Sequence, residues 1–310
     1  MSDNHKRIGL ILTMPRSGTW YTNMFFWFYV QLLQGKTDLE LSPKGLAHIK
    51  HIEEEQHIDL GVNELVICHA ACPGFGHYRG KYRQAWDELN YYVEGFNVGD
   101  GLLGISKRAD LDPVLNQDVR IVYCYRNPLD QAASFFGHIQ NHSDPKHRSY
   151  VDSDGKQCSI ENVRQYILNV GLESYIKQFL TFKIMKQMCP DNILLIKYET
   201  LATEPARAFA GILNHFGHDI YNPSNQQKIV QAMALSSKDS IKRIERTIGH
   251  SIGGDQIDPN ESHIRGGEIG KWNKHLNNDD LEKIQERLAC FGLSLDDFDI
   301  AQASVEQIAS

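Results

Sequence analysis

A continuous apolar run near the start of the chain, Ile8–Thr13, constrains the fold more than any other feature of the sequence. A run without polar alternation is typical of a strand that is buried on both faces, as in a parallel sheet. The same pattern of consecutive apolar residues recurs in four later runs, Leu65–Cys68, Leu102–Ile105, Val119–Tyr125 and Ile193–Tyr198. Helical segments with start and stop residues separate or follow these runs: Thr19–Gln34, Pro128–Gln140, Glu161–Met188, Pro205–Phe216 and Asp279–Phe291. We therefore predict an α/β fold with a central, mostly parallel sheet flanked by helices.

Three polar or glycine-rich segments, Gly35–Gly45, His142–Ser159 and Thr247–Gly270, interrupt this pattern and are interpreted as loops. None of them separates two regimes of composition. The 310 residues are enough for one large domain or two small ones. We therefore expect a single domain that covers residues 1–310.

The charge balance limits the partners of the chain. It has 32 Lys and Arg against 39 Asp and Glu, a net charge of −7, which disfavours nucleic acid and anionic membranes as partners. The most apolar window, Trp20–Leu33, has 14 residues, fewer than the roughly 20 that span a bilayer. No secretory signal is evident, and the six Cys are scattered without a C-x-x-C motif. We expect a cytoplasmic protein with no membrane span.

The first apolar run leads into the loop MPRSGTW at positions 14–20, after which a helix is expected. The first N–H groups of a helix have no partner inside it, and the helix dipole is positive there, so such a turn can bind an anion. Gly18 lets the backbone approach an oxyanion, and Ser17 and Thr19 offer hydroxyl donors. Arg16 adds a permanent positive charge. The alternative interpretation is that residues 17–19 only cap a helix.

This loop differs from a Walker A sequence, G-x-x-x-x-G-K-[ST], in which a Lys follows the second Gly. Here Thr19 follows Gly18, and the basic residue comes before the turn. The loop is also short, which suits one phosphate better than a wrapped triphosphate. These features argue against a P-loop kinase, which is the alternative enzyme class.

A second basic motif, RNPLDQAAS at positions 126–134, follows the run Val119–Tyr125. Arg126 stands at the carboxyl end of a predicted strand, where open parallel sheets bind ligands. Ser134 lies about two turns into the next helix, so a guanidinium and a hydroxyl could share a second phosphate. The competing interpretation pairs Arg126 with Asp130 and makes Ser134 a packing residue.

The two loops together resemble the PAPS-dependent sulfotransferases, where PAPS is 3′-phosphoadenosine 5′-phosphosulfate. The patterns P-[KR]-S-G-T and R-N-P-x-D-x-x-x-S are similar to two motifs of that family. YETL at 198–201 resembles its Y-E-D-L, and RGGEIGKW at 265–272 resembles its R-K-G-x-x-G-D-W, with Lys271 in place of Asp and Gly266 in place of Lys. The resemblance implies a P-loop-like sulfotransferase fold, PAPS as co-substrate and adenosine 3′,5′-bisphosphate as product. No carboxylate pair with metal-ligand spacing stands beside the first loop, so we expect no metal requirement.

The resemblance also implies roles for single residues. The first loop holds the 5′-phosphosulfate, with Arg16 offsetting charge on the leaving phosphate, while Arg126 and Ser134 read the 3′-phosphate that distinguishes PAPS from ATP. Tyr198 contacts the adenine, and the family's adenine-stacking aromatic is either shifted in position or supplied by Trp20. The implied cofactor-binding set is Arg16, Ser17, Gly18, Thr19, Trp20, Arg126, Ser134, Tyr198, Ser237, Arg265, Gly266 and Gly267.

Removal of the acceptor's proton requires a general base, and His69 is the first candidate. Family members with K-T-H on a strand use that His, and VICH at 66–69 offers a His at a predicted strand end, without the Lys. A neutral imidazole titrates near the working pH. Other candidates for the base are His48, His138 and Lys107. Non-catalytic interpretations of His69 are a hydrogen-bonded core residue or a zinc cluster with Cys68, Cys72 and His77.

Aromatic residues indicate the class of acceptor. The run Phe25–Tyr29 has the helical spacing of core residues. The aromatic segment Gly74–Asp100 and the loop His142–Ser159 are predicted to form lids. Such lids favour a small apolar or phenolic alcohol, so we expect sulfuryl transfer from PAPS to a small-molecule hydroxyl. The non-enzyme alternative is an inactive nucleotide-binding module. The acceptor's identity and homodimerisation stay open.

Overall fold

The computed structural model describes residues 7–14, 16–36, 56–59, 63–69, 119–141, 149–151, 155–248 and 268–300. The strands in these ranges are β1 (Arg7–Thr13), β2 (Gln56–Asp59), β3 (Asn63–His69), β4 (Val119–Tyr125), β5 (Ser149–Val151), β6 (Gln157–Ser159) and β7 (Ile193–Lys197). The α-helices are α1 (Thr19–Leu33), α2 (Pro128–Asn141), α3 (Val163–Tyr166), α4 (Leu172–Met188), α5 (Tyr198–Thr203), α6 (Pro205–His215), α7 (Pro223–Leu235), α8 (Lys238–Ile248) and α9 (Asn278–Ala289). The predicted strand Leu102–Ile105 and the predicted lid Gly74–Asp100 lie outside the described residues.

Five strands form one sheet in the order β2-β3-β1-β4-β7. The central strand β1 pairs in parallel with β3 and β4, and β4 pairs in parallel with β7, which confirms the predicted parallel core. The edge strand β2 is antiparallel to β3 and was not predicted. The register places Thr13, the last residue of β1, opposite His69 on one side and Cys124 on the other. The carboxyl ends of β1, β3 and β4 therefore lie next to each other.

The described residues group into two compact units. The first contains the five-stranded sheet with α1 and α5 to α8, and the second contains α2, the β5–β6 hairpin, α3, most of α4 and α9. The single domain over residues 1–310 stays a prediction. Within the described ranges, no helix combines the length and hydropathy needed to cross a membrane.

The core of the first unit is built on α1. This helix is apolar on most of its circumference, as expected for a helix that is covered on several sides. The ring of Phe25 stacks on that of Phe209 in α6, with centroids 3.6 Å apart and planes 7° apart. The prediction that the aromatic run belongs to the core is confirmed, because four of its members are at most 1% exposed: Phe25, Phe26, Phe28 and Tyr29.

The second unit departs from the predicted pattern in two places. The expected single helix Glu161–Met188 is divided by a π-helical turn, Ile167–Gly171. A Cβ at Gly171 would lie 2.7 Å from Cε1 of Tyr166 and 3.0 Å from Cβ of Ala132, so close packing against α2 requires glycine. The predicted loop His142–Ser159 contains the β5–β6 hairpin, whose three-residue strands are too short to show an alternating pattern.

Candidate active site

Backbone hydrogen bonds hold Met14 and Ser17 of the first loop at the end of β1. The N–H of Met14 donates to the carbonyl of Cys124 in β4 at 2.8 Å, and the N–H of Ser17 donates back to the carbonyl of Met14 at 3.0 Å. The hydroxyls of Thr13 and Thr19 are 2.5 Å apart and hydrogen-bonded, so the loop is tied to the strand at both ends. The sequence-predicted residues 16–19 are therefore brought together at the carboxyl edge of the sheet.

The loop has an unusual backbone conformation that leaves the start of α1 uncapped by any side chain. Arg16 has φ 68° and Gly18 has φ 90°, both in the left-handed region. A non-glycine residue in this region is uncommon and is found disproportionately at ligand sites. No side chain caps the helix, and its first turn has no acidic residue. Gly18 is thus the N-cap residue without a side-chain bond to the helix, and the helix dipole faces the loop with its positive end.

Ser17 is completely buried, and its hydroxyl has no hydrogen-bond partner. Leaving a buried polar group unpaired costs about 1–3 kcal/mol, so such a group in a folded protein calls for an explanation. An anion held by the loop would accept this hydroxyl's hydrogen bond. The donor set of hydroxyl, helix N–H groups and guanidinium suits a phosphate or sulfate group.

Tyr198, the first residue of α5, packs directly against the loop. A Cβ at Gly18 would lie only 3.0 Å from Cδ2 of Tyr198, so the approach of this ring depends on glycine at position 18. Burial raises the pKa of Tyr21 to about 12, with a smaller contribution from the neighbouring Tyr198. Trp20, which the sequence offers as the adenine-stacking ring, is half-buried.

The second motif begins with Arg126, directly after β4, and belongs to the second unit. Its side chain is 4% exposed, and its Nη2 donates to the carbonyl of Glu268 at 2.7 Å. The hydroxyl of Tyr175 in α4 donates to the carbonyl of Arg126 at 2.6 Å, which fixes the backbone there. The side chain of Asn127 accepts bonds from the N–H groups of Leu129 and Asp130 and so caps α2.

The Arg126–Asp130 ion pair that the competing interpretation predicts is present, but it is long. Nη2 of Arg126 lies 3.9 Å from Oδ2 of Asp130. Oδ2 instead accepts the N–H of Gly270 at 2.7 Å, and Oδ1 accepts the N–H of Trp272 at 3.3 Å. The carboxylate therefore bonds to a segment 140 residues later in the chain, and its contact with the guanidinium is electrostatic rather than a hydrogen bond.

The positions of two serines of the implied cofactor set, Ser134 and Ser237, do not by themselves indicate contact with a nucleotide. Ser134 lies on α2 and is half-buried. The hydroxyl of Ser237 donates to that of Ser240 at 2.9 Å and accepts the N–H of Ser240 at 3.4 Å, at the start of α8. Ser237 therefore has a structural role as a helix cap that the sequence comparison did not predict. Its role toward a cofactor stays a prediction.

Two of the candidates for the general base, His69 and His138, lie on described elements of the fold. His69 is the last residue of β3, and its backbone is in register with Thr13, which immediately precedes the first loop. His138 lies in α2. Among the described residues, no group of three or more His, Cys, Asp and Glu could hold a metal ion. The remaining predicted residues lie outside the described part of the chain: Arg265, Gly266, Gly267, His48, Lys107, Cys72 and His77.

The family model of the sulfotransferase domain matches residues 8–290. The chain belongs to the sulfotransferase family. Curated relatives include cytosolic sulfotransferase 17 of Arabidopsis thaliana, 24% identical over 196 residues, which are 60% of this chain and 54% of that protein. A flavonol sulfotransferase-like protein of Flaveria bidentis is 24% identical over 189 residues, 59% of each chain. The chain thus spans about half the length of the curated relatives that it matches.

Solved structures support the same fold. Retinol dehydratase in complex with androsterone and the inactive cofactor PAP has a TM-score of 0.52 and 15% identity, and the match covers 96% of this chain and 83% of that one. Retinol dehydratase with retinol and PAP also has a TM-score of 0.52 and 15% identity, with coverages of 95% and 82%. The predicted central parallel sheet flanked by helices, in the sulfotransferase arrangement, is therefore confirmed.

Two residues shape the second motif of this sulfotransferase domain through contacts that the sequence did not predict. Asp130 looked like a partner for Arg126, yet it mainly holds the backbone of Gly270 and Trp272. Tyr175 lies within the predicted helix Glu161–Met188, and its hydroxyl donates to the carbonyl of Arg126. A sequence signal exists only for Asp130, as the acidic residue in the first turn of α2.

Proposed function

We propose that this protein is a PAPS-dependent sulfotransferase that acts on a hydroxyl group of a small molecule. The observation that carries the proposal is the first loop: a fully buried Ser17 hydroxyl without a partner, at the uncapped start of α1 and beside Arg16. This is an anion site built for one phosphate-sized group. Membership of the sulfotransferase family gives the reaction class, and the loop supplies the place for the reacting end of the nucleotide.

The residues of the first loop stabilise the negative charge that develops on the leaving phosphate during sulfuryl transfer. PAPS, when bound, supplies a sulfuryl group linked through oxygen to its 5′-phosphate. Arg16 offsets the negative charge that develops on the bridging oxygen and the leaving phosphate. Ser17 and the N–H groups at the start of α1 hold the neighbouring oxygens in place. Positioning and charge neutralisation are the main demands of such a loose transfer, by analogy with phosphoryl transfer.

The second motif selects the nucleotide at its other end. Arg126 and Ser134 are assigned to the 3′-phosphate, which PAPS has and ATP lacks. The buried and anchored guanidinium of Arg126 supports this assignment, because a fixed cation discriminates better than a mobile one. Arg265 and the N–H groups at residues 266–267 complete the assignment on the sequence resemblance alone.

His69 is the proposed general base. Its backbone position beside Thr13 puts it at the same sheet edge as the first loop. A base there would take the proton of the acceptor hydroxyl. The hydroxyl oxygen then forms a bond to sulfur, while the bond between sulfur and the bridging oxygen breaks. The name of the flavonol sulfotransferase-like relative supports a small phenolic or apolar alcohol as acceptor. The names of the cytosolic relatives support a cytoplasmic location.

A panel of nucleotides tests the proposal. The midpoint of thermal unfolding is measured with adenosine 3′,5′-bisphosphate and, separately, with ATP and Mg²⁺. At ~100-fold its Kd, a ligand adds about 2.7 kcal/mol to the free energy of unfolding. We expect a large shift with the bisphosphate and little with ATP–Mg²⁺. A shift with ATP–Mg²⁺ alone would replace the proposal with a kinase, and binding of the bisphosphate without any sulfuryl transfer would replace it with a binding module.

A further inference from the structure

The carboxylate of Asp130 is a buried charge in the second unit. It is 1% exposed and stands in the first turn of α2, four residues after Arg126. Each of its oxygens accepts a backbone N–H from the segment 268–274, through Gly270 and Trp272. A buried charge normally requires a nearby cation or several hydrogen bonds. Asp130 has both, since Arg126 lies 3.9 Å away.

These contacts close a small network around Arg126. The guanidinium donates to the carbonyl of Glu268, two residues before the glycine that Asp130 holds. Gly270 has φ 83°, a left-handed conformation, and begins the 3₁₀ turn Lys271–Lys274. Trp272, the second residue of this turn, is buried. Asp130 thus determines both the surroundings of the Arg126 guanidinium and the path of the backbone at residues 268–272.

We infer that Asp130 is a positioning residue for recognition of the 3′-phosphate. This rests on the proposed function, in which Arg126 contacts that phosphate. Asp130 itself does not touch the nucleotide. Each of its oxygens accepts a backbone N–H, so it orients the guanidinium and the backbone at residues 268–272.

Removal of the charge of Asp130 changes the affinity for the 3′-phosphate in opposite directions under the two possible roles of this residue. A carboxylate that acted only through its charge would repel the 3′-phosphate, and its neutralisation in Asp130→Asn would strengthen binding. A positioning carboxylate has the opposite effect, because an asparagine has one oxygen to accept an N–H and its NH₂ group cannot accept the second. The geometry therefore predicts weaker binding of the 3′-phosphate in Asp130→Asn.

The experiment compares the Kd values of adenosine 3′,5′-bisphosphate and adenosine 5′-phosphate, which differ only in the 3′-phosphate. We expect Asp130→Asn to lower the preference for the bisphosphate by roughly 10- to 100-fold, the range for a hydrogen bond to a charged group. The Kd of adenosine 5′-phosphate should hardly change, because its phosphate binds the first loop. In turnover, the KM for PAPS should rise while kcat stays near its original value.

Asp280→Asn is the matched control. Asp280 is also a fully buried carboxylate of the second unit, and it accepts two bonds from Arg164 at 2.8 and 2.7 Å. Its substitution should lower the melting temperature and leave the nucleotide preference unchanged. If Asp130→Asn does not fold, Gly270→Ala is the second variant, since alanine is strained at φ 83° and displaces the same turn.

An unchanged or increased preference in a folded variant would overturn the positioning role. If Asp280→Asn lost as much of the preference for the bisphosphate as Asp130→Asn does, the positioning role would also be overturned. The loss would then follow from destabilisation alone. Failure of the proposed function looks different: the unaltered protein itself would bind the two nucleotides equally.

Discussion

At the scale of single residues, Ser17 has a polar atom that the folded chain leaves unsatisfied. Its hydroxyl is fully buried, while its N–H is used within the loop. The sequence motif predicted a donor at this position, but burial without a partner became evident only from the structure. An unsatisfied donor beside Arg16 at a helix N-terminus is what an anion site requires before its ligand binds.

Ser17→Ala separates binding from stability. Removal of a hydroxyl that has no partner should leave the melting temperature of the free protein unchanged or slightly raised. The affinity for adenosine 3′,5′-bisphosphate should fall about tenfold, the effect of one hydrogen bond to a charged group. Ser236→Ala, at another fully buried serine whose hydroxyl donates to the carbonyl of Met233, is the control and should show no loss of affinity. Equal affinities for Ser17→Ala and the unaltered protein would remove Ser17 from the site.

His69→Ala tests the proposed base. General-base catalysis contributes roughly 10²–10⁴-fold, so turnover should fall by that factor. Binding of the bisphosphate, measured by thermal shift, should be preserved because the nucleotide is held by other residues. Turnover close to that of the unaltered protein would transfer the role to His48, His138 or Lys107, and parallel single substitutions of these three identify which one.

At the scale of secondary-structure elements, α1 connects the loop to the core. Its first turn faces the loop, and its later turns pack against α6, where Phe25 stacks on Phe209. The hydroxyl of Tyr29 in the same helix bonds to Nε2 of His218, just after α6, at 2.7 Å. The bond joins two elements that are far apart in sequence and places an imidazole in a partly desolvated position.

This imidazole predicts a pH dependence of stability. Burial lowers the pKa of His218 below its ordinary value of 6.5, and burial likewise lowers that of His215. Because the folded-state pKa is the lower one, protonation favours the unfolded chain, so the stabilisation is complete above about pH 6.5 and is lost as the pH falls through the folded-state pKa. The melting temperature should therefore decrease on acidification, and His218→Gln should make that decrease shallower.

Tyr29→Phe is the control for this pH dependence. It removes the hydrogen bond and keeps the ring, so it should lower the melting temperature at every pH while it preserves the slope, since desolvation is the main cause of the shift. A slope in His218→Gln as steep as in the unaltered protein would contradict the assignment.

At the scale of the whole molecule, the sequence predicted the parallel core and the position of the first loop closely. The boundaries of β4 were predicted correctly, because a long apolar run needs burial on both faces. The edge strand β2, the β5–β6 hairpin and the π-helical turn were missed. Each depends on pairing or packing with distant residues, as Gly171 does against Ala132, and such contacts leave no local periodicity. The network of Asp130 escaped prediction for the same reason.

The most direct test of the account is transfer of a labelled sulfuryl group from PAPS to a panel of small alcohols and phenols. The account predicts that label appears in an organic sulfate, with an equal amount of adenosine 3′,5′-bisphosphate formed. Retention of all label in PAPS with every acceptor, in protein that binds the bisphosphate, would contradict it.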